Sequence, residues 1–302
     1  MDLKSKIILI YGPTASGKSR FALSLAKKIN GEIINADSMQ VYKELKILSA
    51  RPYQKDYKKI RHHLYGFQNA RKNFSAGHWL ELANKKILDI KNRKKVPIIV
   101  GGTGLYFKAL TEGLIKIPNI PIKFRSKIRS LHKKIGSKKF FSKLVELDPL
   151  VKKYLNPLDS QRIIRAYEIK SFTNKSMYKW FKNTKSKYEQ NDFYKIYIDF
   201  PRDELINQIN LRASQMINCG AISEVKRFIK LKVPKNKTAS KAIGINEIRE
   251  FLNKKIQISE LIEKISIKTR QYAKRQTTWG RGHMSDWNKI KSNGLNQFLK
   301  KI

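Results

Sequence analysis

The chain has 302 residues, 41% of them hydrophobic and 10% aromatic, which is enough to bury a sizeable core and excludes an intrinsically disordered protein. Lys and Arg number 65 against 23 Asp and Glu, and the resulting charge of +42 points to a polyanionic partner, nucleic acid foremost, unless the lysine excess is compositional. One cysteine, Cys219, excludes an intrachain disulfide, and no run approaches the ~18 apolar residues of a membrane span, so a cytoplasmic protein in a reducing setting is expected.

Ile7 to Tyr11 reads as a first strand that runs at once into the glycine-rich stretch GPTASGKS, so no export leader is expected. Gly12, Gly17, Lys18 and Ser19 fit the spacing of a phosphate-cradling loop, and Phe21, Ala22, Leu25 and Ile29 then recur at helical spacing. Lys18 and Ser19 should therefore lie in the first turn of a helix, whose N-terminus favours anions. GEIINADS reads as a second strand ending at Asp37, and SMQVYKEL as the helix after it. VPIIVGGTG is a third strand, from Val96 to Val100, stopping in glycines and Thr103. Two prolines in IKIPNIPIKF open a change of texture. Between Lys116 and Leu155 there are twelve basic residues and two acids, in helical patterns. YKIYIDFPR at 194 to 202 alternates as a strand, and the remainder is helical.

This pattern predicts an α/β fold: a P-loop NTPase-like parallel sheet flanked by helices, residues 1–112 and 194–302, with an inserted all-α domain over 113–193. In open parallel sheets ligands collect beyond the carboxyl ends of the strands, so Gly12–Ser19, Asp37 and Gly101–Thr103 should converge on one crevice. The stretch EKISIKTRQYAKRQTTWGRG carries Lys264, Lys268, Arg270, Lys274, Arg275 and Arg281 without an acid after Glu263, with Tyr272 and Trp279 among them. It is either a solvated charged face or a nucleic-acid contact.

The chemistry follows from these residue types. Backbone N–H groups between residues 13 and 19 would wrap a diphosphate, Lys18 would contact its oxygens, and the Ser19 hydroxyl would ligate Mg²⁺. The metal-binding acid that ATPases and GTPases carry after an apolar strand is replaced here by Val100-Gly101-Gly102-Thr103, which argues against a motor or switch. Asp37 is left as the carboxylate of the crevice, either capping the next helix or acting as a general base. The five histidines fall in no zinc-type spacing, so any metal should be oxygen-bound, and Cys219 should be a small buried thiol.

GPTASGKS, DSMQVYKEL, HHLYGF, FSAGHW, VGGTGLYFKALTEGL, DSQRIIRAYEI and AKRQTTWGR, in this order between about residues 6 and 287, resemble the bacterial tRNA dimethylallyltransferase family. The resemblance implies transfer of a dimethylallyl group from dimethylallyl diphosphate to N6 of the adenosine 3′-adjacent to the tRNA anticodon, with Mg²⁺. By the matching motifs, Asp37 resembles the base and Thr103 the residue that binds the acceptor adenine. Gly12, Pro13, Thr14, Ala15, Ser16, Gly17, Lys18, Ser19 and Arg212 resemble the diphosphate site, with Ser19 the metal ligand. Asp37, Ser38, Met39, Gln40, Thr103 and Arg125 resemble tRNA contacts, as do Gln161, Arg162, Ile163, Ile164 and Arg165. Lys241 and Gly244 with Lys274, Arg275, Gln276, Trp279 and Arg281 complete that set. Lys241 stands where the family commonly has arginine, and a monomer is expected. The alternatives are a nucleoside or nucleotide kinase binding ATP in the loop, a dimethylallyltransferase acting on free AMP, and a non-catalytic RNA-binding protein.

Overall fold

The computed structural model describes residues 3–57, 60–115, 117–181 and 184–302. In chain order its first elements are β1 (Ile7–Tyr11), α1 (Lys18–Ile29), β2 (Gly31–Asn35), α2 (Gln54–Tyr57), β3 (His62–His63), α3 (Ala76–Asn92), β4 (Val96–Gly101) and α4 (Gly104–Glu112). There follow α5 (Ile122–Leu147), α6 (Val151–Tyr154), α7 (Ser160–Thr173), α8 (Met177–Phe181), β5 (Phe193–Asp199) and α9 (Arg202–Asn218). The chain ends with α10 (Ala221–Lys230), α11 (Ile245–Leu252), α12 (Ile258–His283), β6 (Asn288–Lys291) and α13 (Leu295–Lys300).

The chain divides into two compact units, Met1–Thr111 with Tyr188–Ile302, and Glu112–Lys187. The expected return point at residue 194 thus lies inside the first unit, whose second segment opens at Tyr188. In that unit six strands pair in parallel in the order β3-β2-β4-β1-β5-β6. β1 and β4 are buried throughout, as strands covered on both faces require. Alternation sends Ile7, Leu9 and Tyr11 to a core with Trp79, Ile87 and Phe107, and Ile8 and Ile10 to a core with Phe21, Leu25 and Ile29 of α1. A third apolar cluster joins α10, α11 and α12 to Val41, Tyr42, Leu45 and Leu48. Gly101 lets the chain after β2 come close, because a Cβ there would lie 2.1 Å from the Ala36 carbonyl oxygen.

The helical unit packs α5 against α7 around Ile128, Phe140, Leu144, Ile163, Ala166 and Ile169. α5 breaks at Gly136, where φ is 76°. Among the described residues no helix is long and apolar enough to cross a membrane.

Several expectations are corrected. The segment after Asp37 is a series of turns and not a helix, because Asp37 and Gln40 bond the local backbone in its place. The edge strands β3 and β6 escape prediction, being short and polar. Cys219 is exposed and not buried, since it falls at the C-cap of α9. Lys264 and Lys268, expected on a solvated face or a nucleic-acid contact, are engaged within the protein. They pair with Glu250 and with the buried Glu247.

Candidate active site

The loop after β1 opens at Gly12, where an added Cβ would collide with Ser16 and Ile198, and closes at Gly17, whose φ of 74° starts α1. The backbone N–H groups of Ala15, Gly17, Lys18 and Ser19 have no backbone partner among the described residues. Those of Thr14 and Ser16 are occupied, by the Gln276 Oε1 at 2.8 Å and by the Pro13 carbonyl at 3.4 Å. The donor set is therefore smaller than the expected wrap from 13 to 19. The Lys18 Nζ donates back to the Pro13 carbonyl at 3.0 Å. Burial lowers the Lys18 ammonium to about 8, Arg212 adds to the shift, and Asp37 opposes it. The guanidinium of Arg212, itself lowered by burial, donates from Nη1 to the Thr14 hydroxyl at 3.3 Å.

Asp37 lies two residues beyond β2, and Asn35 pins its backbone from both sides. The Asn35 Oδ1 accepts from the Asp37 N–H at 2.9 Å, while its Nδ2 donates to the Asp37 and Leu64 carbonyls, each at 3.0 Å. Asp37 Oδ1 accepts from the N–H groups of Met39 at 2.8 Å and Gln40 at 3.3 Å, the bonding of a cap without a helix. Its Oδ2 makes no hydrogen bond among the described residues. Both sequence readings of Asp37 are thus available to one side chain, one oxygen for each. Thr103, after β4, accepts from the Ser38 N–H at 3.0 Å through its hydroxyl oxygen.

Two cavities meet here. One, of about 720 Å³, is lined by Gly17, Lys18, Ser19, Arg51, Tyr53 and Met216. The other, of about 270 Å³, is lined by Met39, Leu48, Lys241, Ile243, Tyr272 and Arg275. Thr14, Asp37, Ser49, Arg212 and Met216 border both, so Asp37 stands in their common wall. Tyr272 carries a phenol raised first by burial and then by the Asp37 charge, and the Arg275 guanidinium lies 5.8 Å from its ring centre. A further cavity of about 800 Å³ lies between α9, α12 and the end of β6, lined in part by Arg202, Arg270, Lys274 and Arg281. It borders neither Lys18 nor Asp37.

The other predicted residues separate. Ser38, Met39 and Gln40 are half-buried, and the Gln40 amide holds the Ser49 and Ala50 carbonyls at 2.9 and 3.2 Å. Gln276 is 4% exposed and does not face outward: its Nε2 donates to the Gly102 carbonyl at 2.8 Å while its oxygen holds Thr14. It braces the loop after β1 against the loop carrying Thr103. Gly244 is also buried, with its N–H donated to Glu247 at 2.7 Å. Trp279 stacks on His283 and packs against Tyr11 and Gly104. In the helical unit Gln161 and Arg162 are exposed, Arg125, Ile164 and Arg165 half-buried, and Ile163 is a core residue with no exposed surface. A helical run mixes exposed and core positions, which a contiguous motif does not reveal.

Sequence reasoning missed Glu224. Its carboxylate accepts the N–H groups of Lys46 and Ile47, both at 2.8 Å, and of Leu48 at 3.0 Å, fixing the loop that walls both cavities. The signal was an acid on the same helix face as Ala221, Val225 and Phe228. Oxygen donors for a metal are the exposed Ser19 hydroxyl and Asp37. Among the described residues no three His, Cys, Asp or Glu side chains gather as a metal cluster.

Comparison with known proteins agrees along the length of the chain. Residues 40–283 match the family model described as IPP transferase. The tRNA dimethylallyltransferase of Pelagibacter ubique is 58% identical over 302 residues, covering all of this chain and 96% of the relative. That of Rickettsia massiliae is 43% identical over 285 residues, covering 94% and 78%. Among solved structures, the tRNA isopentenylpyrophosphate transferase of Staphylococcus epidermidis superposes with a TM-score of 0.69 at 31% identity, over 98% of this chain and 96% of that one. A eukaryotic dimethylallyltransferase described as acting on tRNA gives 0.83 at 27% identity, over 97% and 75%.

Proposed function

The chain belongs to the IPP transferase family, and from that premise we propose that it transfers a dimethylallyl group from dimethylallyl diphosphate to N6 of the adenosine 3′-adjacent to the tRNA anticodon, releasing diphosphate. The observation that carries this reading is Asp37 in the wall shared by the two cavities, with one carboxylate oxygen that makes no hydrogen bond among the described residues. The cavity beside Lys18 takes the diphosphate, and the one beside Tyr272 takes the adenine. A bond forms between N6 and the first allylic carbon as the bond from that carbon to the diphosphate oxygen breaks. The electron pair leaves with the diphosphate, and the N6 proton passes to Asp37 Oδ2.

An adenine amine is a weak nucleophile because its lone pair is delocalised into the ring, and a positioned carboxylate contributes ~10²–10⁴-fold to such proton transfers. Lys18, Arg212 and the N–H groups of Ala15, Gly17, Lys18 and Ser19, which have no backbone partner among the described residues, face the charge growing on the leaving diphosphate. The Thr103 hydroxyl accepts from the Ser38 N–H and is hydrogen-bonded to the Tyr272 side chain, so it ties together two walls of the adenine cavity. The residues present fit Mg²⁺: Ser19 brings an exposed hydroxyl beside Lys18, and Asp37 is the one carboxylate lining that cavity among the described residues. Ser19, diphosphate oxygens and water would hold the ion, which supplies positive charge to the leaving group. The acceptor adenosine must leave the stacked loop, at a cost of a few kcal/mol. Contacts from Ser38, Met39, Lys241 and Arg275 and from the basic helical unit offset that cost. The enzyme acts as a monomer in the cytoplasm.

Mass spectrometry of tRNA incubated with the protein, Mg²⁺ and dimethylallyl diphosphate tests the reading, with a gain of one C5H8 unit expected. Nucleosides with ATP, and AMP with the allylic donor, form the control arms. Phosphorylated nucleoside, or alkylated AMP beside unmodified tRNA, would replace this reading with one of the alternatives.

A further inference from the structure

In the helical unit, Arg125 and Arg129 lie one turn apart on α5, and Arg165 and Glu168 one turn apart on α7. All three arginines converge on Glu168, whose side chain is 1% exposed. Arg125 donates from Nε to Oε2 at 3.1 Å, Arg165 from Nη1 to the same oxygen at 3.1 Å, and Arg129 from Nε to Oε1 at 3.3 Å. A buried carboxylate needs a partner, yet three guanidiniums on one carboxylate overshoot that need and leave a net charge of two. Each extra arginine brings like-charge repulsion that a purely structural ion pair would avoid.

The donors left over show what the excess is for. A guanidinium has five N–H groups, and each arginine gives a single nitrogen to Glu168. Both terminal nitrogens of Arg125 and of Arg129 make no other hydrogen bond among the described residues, and the side chains are 38%, 57% and 39% exposed for Arg125, Arg129 and Arg165. The carboxylate thus holds the inner edge of each plane and leaves its outer edge to solvent. Composition points the same way. Between residues 112 and 187 there are sixteen lysines and four arginines, and three of those four meet here. A lysine bias fills solvated surface with point charges, whereas a rigid planar fork suits a phosphate.

Arg125 and Arg165 stand at positions that resemble the family's tRNA contacts; we propose that Glu168 is a positioning residue that presets them together with Arg129, and that Arg129 adds a direct contact to the tRNA phosphate backbone. The proposal rests on tRNA being the acceptor substrate.

Charge counting and preorganisation predict opposite signs for one substitution. Glu168→Gln removes a negative charge, so a merely electrostatic surface would bind tRNA more tightly. A preset clamp would bind it more weakly, by about tenfold, as its forks lose their anchor. The test is tRNA binding without donor, titrated with KCl between about 50 and 200 mM at fixed Mg²⁺. Arg129→Ala should weaken binding about tenfold and reduce the slope of log affinity against log salt by about one. Arg129→Lys should restore the slope but not the whole affinity, because lysine lacks the fork. The losses should appear in the KM for tRNA and leave the KM for the donor in place. Tighter binding by Glu168→Gln, or Arg129→Ala with wild-type affinity and slope, would overturn the clamp. Should Glu168→Gln fail to fold, the two Arg129 variants, at an exposed position, decide the matter alone. A wild-type protein that neither binds nor alkylates tRNA would overturn the acceptor reading, and the clamp with it.

Discussion

In the crevice at the end of the sheet, Lys18 and Arg212 line one cavity with Asp37 and feel its charge, and the second Asp37 oxygen makes no hydrogen bond among the described residues. In the helical unit, three arginines surround Glu168, which is buried and has both oxygens engaged. The ingredients are alike, but the exposed member is reversed. Where the acid keeps a free oxygen it can take a proton, and the cations are partly dehydrated so that their charge acts at short range. Where the acid is sealed in, it anchors the cations, which remain partly in water, where their charge acts through a salt-sensitive field. Under the two proposals, one acid is chemical and the other architectural.

The sharpest way to break that distinction is Asp37→Ala. Transfer should fall by ~10²–10⁴-fold while tRNA affinity stays, and the ratio to wild type should be the same at low and physiological salt. A deficit that shrank with salt would make Asp37 part of the field and not of the chemistry. Gln276→Ala comes next, because it strands the Thr14 N–H and the Gly102 carbonyl, at about 1–3 kcal/mol for each group left unsatisfied. Thermal melting should show a destabilised protein, and steady-state kinetics should show a higher KM for the donor. Unchanged melting and kinetics would mean that the brace is idle.

Acidity in the crevice supplies a subtler test. With Lys18 lowered to about 8 in the folded protein against 10.5 when free, kcat/KM for the donor should decline above pH 8. The unfolded chain binds the extra proton between those values, so this residue's contribution to stability should rise with pH across the same window. Lys18→Met should flatten both profiles, while the Arg129 variants should alter neither. The smallest effect concerns Cys219, which is exposed on the wall of the cavity beside Lys18. Its alkylation by iodoacetamide should slow several-fold when inorganic diphosphate and Mg²⁺ are added. Labelling indifferent to diphosphate would place the anion elsewhere.

Much of the crevice was legible before any folding was considered. The stretch GPTASGKS after an apolar run leaves few conformations, since Gly12 and Gly17 occupy positions that a side chain would spoil. The ends of β2 and β4 were visible as buried β-type runs, and parallel pairing then carries Asp37 and Thr103 to one edge. The edge strands were not legible, because two histidines or the four residues of NKIK carry no alternating signal. Nor was the helix expected after Asp37 ruled out, since a local pattern cannot register that Asp37 and Gln40 bond nearby N–H and carbonyl groups instead.

Sequence by itself determined the elements with a strong local period, the glycine-rich turn between β1 and α1 and the sign of the overall charge, because each is set by the residue types along the chain and not by their partners in space. Only the tertiary structure decided which charges are free. Lys268 is spent on Glu247, Gln276 is turned inward as a brace, Ile163 is core, and Arg129 is left with open donors beside Glu168. Pairing and burial depend on partners tens or hundreds of residues away, and no local spacing encodes them.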